Sequence, residues 1–528
     1  MDQSVPWYRS WPAVVVSAVV LPPVGLVLLW LRSRTSIAVK VLGSFAIVAV
    51  GATYFIKFVG MRVELDGTGI WPIVSLGTRE DLYAELERSR REQQRIALPA
   101  PEQQPAVAAK AMQPAPDLEP AAEPPPEEES GKTPAREQAY WTDFRGPQRD
   151  GHYRQTAILT KWPGQGLERL WKQPIGGGYA SFVLAGGRAF TIEQRRDQEV
   201  VAAYDIATGR EVWINSWKAS FSESMGGDGP RATPTWHDGR IYALGAEGEL
   251  RCIDADTGKT VWSKNILTDN QAQNLQWGMA AAPLIVDDKV IVLPGGTSGK
   301  SVAAYNKQTG EPVWRALNDK QAYTSPMLVN LAGKRQVLVV SAERAMGLTP
   351  EKGEVLWEYP WVTDFGINSA QPIIVGENRF FISAGYGHGA ALIEVIPRGE
   401  GFGVKEIWSN NRMKNKFTSS VLHEGHVYGL DESILACVNA ETGELKWKGG
   451  RYGFGQVVLA GGHLIVVTED GDLVLVKADP ERHQELARFS AIEGKTWNHP
   501  AIAAGRLLVR NTTEMACFRI APAAGSGK

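Results

Sequence analysis

Cys252, Cys437 and Cys517 are the only thiols in this 528-residue sequence. A thiolate can act as a nucleophile or a metal ligand. No two of the three are adjacent, and no C-x-x-C-H run exists to hold a haem covalently. Among the eight histidines, His423-Glu-Gly-His426 could offer two imidazoles to a metal ion. His388 lies in the Gly-rich run SAGYGHGA, which would need a following helix to cradle phosphate, and no helical pattern follows. A third set suits binding more than reaction: Tyr179, Arg231, Trp277, Tyr323, Asn368, Lys416, Phe454 and Trp497-Asn498-His499. Rings, cations and amides of this kind suit a ligand or a protein partner.

The elements that must position these residues are repeats. Cys252–Trp262 reads CIDADTGKTVW: a strand end, a turn built on Asp and Gly, and a second strand beginning with Val261 and Trp262. The same phrase ends at Trp213, Trp314, Trp357 and Trp447, with weaker copies ending at Trp408 and Phe489. Successive marks from Trp171 to Phe489 lie 39 to 52 residues apart, the spacing of four-stranded propeller blades. Upstream of each hairpin come an inner strand, a DG-type turn and another strand, as in Thr233–Leu250. This places His423–His426 in a hairpin turn, aligned with His237–Arg240, and not at a metal. It places the three cysteines at one small buried position in three blades, aligned with Ala203 and Ala304. The binding set falls just ahead of the inner strands, around the mouth of a central channel.

After Phe489 about three strands remain, ending at Ala516–Ile520, while Leu167–Trp171 is a lone outer strand with no repeat before it. Pairing the two completes an eighth blade and removes an open edge. The expected fold is all-β: an eight-bladed propeller of four-stranded antiparallel blades, with seven blades as the fallback.

The T-G-x-x-x-W hairpin resembles the pyrroloquinoline quinone (PQQ) repeat of quinoprotein alcohol dehydrogenases and of BamB-like propellers. Trp141–Gly151 (WTDFRGPQRDG) is similar to the opening of PQQ-binding-like β-propeller repeat proteins. The resemblance covers about residues 140–521. It implies the propeller fold and, for a catalytic member, PQQ with Ca²⁺ as cofactor and a catalytic Asp as base. Under that resemblance Asn368 and Asn498 are candidate metal ligands, and Asp364 or Asp228 a candidate base. None sits in a dehydrogenase motif, and the adjacent cysteine pair of those enzymes is missing, so no catalytic residue, cofactor or metal site is assigned.

Residues 12–31 form a 20-residue uncharged segment, long enough to span a bilayer, with Pro22-Pro23 expected to kink it. Residues 37–59 form a second apolar segment. A signal peptide is the competing reading; the length of the first segment, the second span and the absence of an A-x-A cleavage site disfavour it. Arg32, Arg34 and Lys40 between the segments place that loop in the cytoplasm, with both termini outside. The expected organisation is a two-helix transmembrane hairpin (1–62), a juxtamembrane segment with a short charged helix over 79–96 (63–98), a Pro/Ala/Glu-rich disordered linker (99–138), the propeller (139–521) and a disordered tail (522–528). The net charge of −2 gives no basic surface for nucleic acid. The expected function is a binding or scaffolding module, held in the inner membrane through residues 12–31 and 37–59. It faces the periplasm and meets an envelope protein partner or small ligand. A PQQ-dependent alcohol or sugar dehydrogenase is the alternative.

Overall fold

The computed structural model describes residues 8, 10–32, 35–58, 62–65, 72–75, 79–95, 140–399 and 401–522. The expected linker and nearly all of the expected tail lie outside them. The chain divides into an N-terminal unit and the propeller.

In the N-terminal unit the first apolar segment is not one helix. It forms α1 (Trp11–Val20) and α2 (Pro22–Trp30), broken at Leu21. Prolines occupy the first turn of α2, where their missing N–H groups cost nothing, but they cannot extend α1 through that point. The expected single kinked span is therefore two short helices. α3 (Ile37–Phe58) is long and apolar enough to cross a membrane. A two-stranded antiparallel pair, Arg62–Leu65 with Pro72–Ser75, follows in the juxtamembrane segment for which only a charged helix was expected. α4 (Arg79–Arg95) is the expected charged helix.

The propeller has eight sheets in a ring. Blades 1 to 6 run in order from Val183–Lys218 to Val421–Arg451, each with four antiparallel strands. Blade 7 (Gln456–Ser490) gains a parallel fifth strand from His152–Tyr153. Blade 8 (Ala501–Arg519) takes its outer strand from Arg169–Pro174, with Cys517 opposite Trp171. The two ends of the propeller thus close the ring, as the unmatched Trp171 strand requires.

One contact repeats from blade to blade. The Oδ1 of the turn Asp accepts from the Thr backbone N–H and hydroxyl, as Asp254 does from Thr257 at 3.0 and 2.9 Å. That turn holds Gly258 at φ +72°, where a Cβ would come within 2.7 Å of the Trp213 ring of the preceding blade. The Trp213 indole N–H then donates to the Ala255 carbonyl of the same turn at 3.0 Å. Gly209 on Trp171, Gly310 on Trp262, Gly353 on Trp314 and Gly443 on Trp408 repeat the stack. Blade 5 lacks the TG turn, and the Trp357 indole bonds Gln336 of its own blade at 2.5 Å instead. Cys252, Cys437 and Cys517 sit opposite Trp262, Trp447 and Trp171, at a bulge before the turn. All three are buried, and burial pushes the Cys252 thiol up to about 11 and the other two to about 12. They are inert packing groups.

Trp171→Ala removes the clasp of blade 8 onto Gly209 of blade 1. It should cost about 3–5 kcal/mol of unfolding free energy in urea. Glu199 of blade 1 is fully buried and accepts the Ala246 N–H of blade 2 at 2.8 Å. Burial raises its carboxyl to about 7 despite that bond. A raised acid favours folding when protonated, so its contribution is present below about pH 4.5 and is lost as pH rises through about 7. The urea midpoint should fall between pH 5 and 8, and Glu199→Gln should flatten that slope.

Candidate functional site

Each inner strand starts after a loop that crosses the mouth of the channel. The structure joins five of the expected residues, Tyr179, Arg231, Lys416, Phe454 and Trp497, into one surface with five neighbours. Tyr179 packs on Trp497 with ring centroids 5.3 Å apart, Trp497 on Phe417 at 4.5 Å, and Phe417 on Phe454 at 5.2 Å. Cations cap this run. The Arg231 guanidinium lies 5.6 Å over Tyr179 and 4.7 Å over Phe221. The Lys416 ammonium lies 4.7 Å over Phe454 and 5.0 Å over Tyr386. The Lys495 ammonium lies 4.3 Å over Trp497. Glu469 fixes the rings, accepting from the Trp497 indole at 2.8 Å and the Phe454 N–H at 3.2 Å. The result is an aromatic strip bearing ammonium and guanidinium groups, suited to cation–π and stacking contacts with a partner.

The remaining expected residues lie apart from this strip. Trp277 and Tyr323 form their own pair at 5.8 Å. Asn368 and Asn498 are buried and serve the backbone: Asn368 donates to the Ser341 carbonyl at 2.8 Å, and Asn498 to the Gly178 and Ala180 carbonyls at 3.1 and 3.0 Å. Their Oδ1 atoms accept no hydrogen bond. His499 is not on the rim. It is buried, and its Nε2 accepts from the Arg145 Nε at 3.3 Å. Burial, then the Arg145 charge, lowers it to about 3, so it is neutral at physiological pH. Phe417 and Lys495 were not among the expected residues, although Phe417 adjoins Lys416 and Lys495 lies two residues before Trp497.

Arg145 belongs to a second feature, absent from the expected site. Segment Trp141–Gly151 hydrogen-bonds to the inner strands of several blades and to the residues that lead into them. The Trp236 N–H donates to the Thr142 carbonyl at 2.8 Å, and the Leu459 N–H to the Gly151 carbonyl at 2.9 Å. The Arg149 guanidinium is buried and donates to the Ala282, Pro326 and Pro283 carbonyls at 3.2, 2.8 and 2.5 Å. It also pairs with Asp143 at 3.1 Å. Arg145 donates to the Ser420 carbonyl at 2.6 Å. Burial lowers both guanidiniums, Arg145 to about 10. Beside the segment lies a cavity of about 470 Å³, walled by Arg149, Asp150, His152, Met327 and Ile373 among others.

The PQQ and Ca²⁺ implied by the dehydrogenase resemblance can be weighed against these donors. The unengaged Asn368 and Asn498 oxygens are hard donors of the kind Ca²⁺ takes. Among the described residues no group of three His, Cys, Asp or Glu side chains is placed to hold a metal ion. Glu469 is committed to Trp497 and Phe454. This donor set does not fit the carboxylate-rich site that would polarise a quinone.

A family model described as outer membrane protein assembly factor BamB matches residues 196–449. The BamB of Burkholderia pseudomallei is 22% identical over 352 residues, covering 58% of this chain and 86% of that protein. The quinohemoprotein alcohol dehydrogenase ADH IIB of Pseudomonas putida is 32% identical over 121 residues, covering 22% of this chain and 17% of the enzyme. The solved quinohemoprotein alcohol dehydrogenase of Comamonas testosteroni superposes with a TM-score of 0.55 at 14% identity, over 74% of this chain and 82% of that one. At that identity the likeness shows the fold.

Arg149→Ala leaves the Ala282 and Pro326 carbonyls without this donor and takes the cation from buried contact with Asp143, and should cost about 3–5 kcal/mol in urea unfolding. Arg149→Lys should recover little of it, because one ammonium cannot replace a planar fork that serves several acceptors.

Proposed function

We propose that this PQQ-like β-propeller protein is a binding or scaffolding module of the cell envelope, and that the aromatic–cation strip at its rim is where a protein partner docks. The observation that carries this reading is the strip itself: Tyr179, Trp497, Phe417 and Phe454 in one packed run beneath Arg231, Lys416 and Lys495. Rigid aromatic rings and arginine are among the groups that dominate protein interfaces. A segment with acidic and apolar side chains matches them. The coverage of relatives supports the same direction: the match to BamB extends over 86% of that protein, the match to the dehydrogenase over 17%.

The proposal includes an inner-membrane anchor through the N-terminal unit, with the propeller in the periplasm. α3 supports it, being long and apolar enough to cross a bilayer. The domain boundaries expected above fit this arrangement. The second reading, a PQQ-dependent alcohol or sugar dehydrogenase, is favoured by the fold likeness and by the two open amide oxygens of Asn368 and Asn498.

The test is quantitative co-purification of the full-length chain from detergent-solubilised envelopes. One or more envelope proteins should be recovered in near-stoichiometric amount, and a Trp497→Ala/Lys416→Ala variant should recover at least tenfold less. Equal recovery by the variant would remove the rim from the interface.

A further inference from the structure

α1 and α2 together hold the residues expected to form one span, yet their packing is that of a folded hairpin. A Cβ built on Gly25 would lie 2.4 Å from the Ala18 Cα. In one straight helix those positions are ~10 Å apart along the axis. The chain therefore doubles back at Leu21, whose φ of −141° and ψ of 81° are not helical. At the far ends of the two helices Val14 and Leu29 bury each other in one apolar cluster, with Ile47 of α3. α2 also runs antiparallel to α3, with Leu29 against Gly43 and Pro22 against Gly51.

Length and polarity then decide what the hairpin can do. Helices of ten and nine residues each rise ~15 Å, half of a ~30 Å hydrocarbon core. α3, with 22 residues, rises ~33 Å. The closed tip carries Val19, Val20, Leu21 and Val24, exposed at 59%, 67%, 58% and 44%. The open base carries Trp11 and Trp30. The Arg32 guanidinium lies 4.4 Å over Trp11, and the Lys40 ammonium donates to the Trp30 carbonyl at 3.1 Å. The Trp30 indole donates to the Ser44 hydroxyl at 3.0 Å. Tryptophans with cations mark the headgroup level, and bare aliphatics mark the acyl chains.

We infer that α1 and α2 form a re-entrant wedge that enters and leaves a single leaflet from one face, so that only α3 crosses the membrane. This rests on the membrane anchor proposed above. The cations at the base put that face in the cytoplasm. The start of α1 is then cytoplasmic, whereas a full span over residues 12–31 puts it outside. The propeller lies outside in either case. The partner of the tip is the hydrocarbon of the cytoplasmic leaflet.

The test uses the full-length chain in native membranes, with one uncharged epitope ahead of residue 1 and a different epitope after residue 528. Protease is added to spheroplasts and to inverted vesicles. The wedge predicts that the first epitope is cut only in inverted vesicles and the second only in spheroplasts. Cutting of both epitopes in spheroplasts overturns the wedge and leaves the anchor standing. Release of the chain by alkaline carbonate overturns the anchor, and the wedge with it. Pro22→Ala/Pro23→Ala lets residues 12–31 run as one helix. It should raise cutting of the first epitope in spheroplasts at least tenfold. No increase would overturn the role given to the break at Leu21.

Discussion

The propeller depends on one recurring contact, made by Trp171, Trp213, Trp262, Trp314 and Trp408: the indole of an outer strand seated on the glycine of the next blade's turn. Between Trp213 and Gly258 the gap is so small that any side chain on the glycine would meet the ring. The glycine is therefore required twice, once for its positive φ and once for its missing Cβ. The indole N–H adds a directed bond to the same turn, so each such pair of sheets is fixed in both distance and rotation. A β-sheet alone does not specify how far its neighbour is turned. This contact does, and repeating it around the ring leaves one place for the lone Trp171 strand, beside Cys517. Closure removes the exposed edges that a chain of half-buried strands would otherwise offer to its neighbours.

A ring fixed from its outside still has a hole at its centre. Trp141–Gly151 bonds to several of the blades around it. The residues that lead into the inner strands carry backbone carbonyls with no sheet partner, and Arg149 and Arg145 supply donors to four of them. Only arginine reaches several acceptors at once from one planar group. The strip of rings and cations at the channel mouth is the surface we propose for docking, and Glu469 holds the Trp497 ring so that less ordering would remain to be done on binding.

The blades were legible in the sequence because each repeat couples a turn signal to a Trp at fixed spacing, and the surplus strand at Trp171 announced the closure. What the glycine does was only half legible: φ can be read from a turn, but contact with a ring a whole blade away cannot. The rim was legible as a set of loop positions. Its connectivity was not, since Phe417 and Lys495 are neighbours in sequence of residues that were chosen, while His499, adjacent to Asn498, turns inward to Arg145. The arginine contacts were visible only as a motif, because their acceptors are main-chain carbonyls that leave no mark on side-chain pattern. At the N-terminus, twenty uncharged residues satisfy the length of a span equally well whether straight or folded. Ala18 and Gly25 decide between the two, and a close pair of small residues carries no weight in hydropathy.

The claim that the rim receives a protein partner and not a quinone is tested most directly by titrating the full-length chain in detergent with PQQ, with and without Ca²⁺, by calorimetry. A dye-reduction assay on simple alcohols and sugars follows. The account predicts no saturable heat in either condition and no dye reduction. Stoichiometric Ca²⁺-dependent binding with dye reduction would contradict it and make the channel mouth an active site.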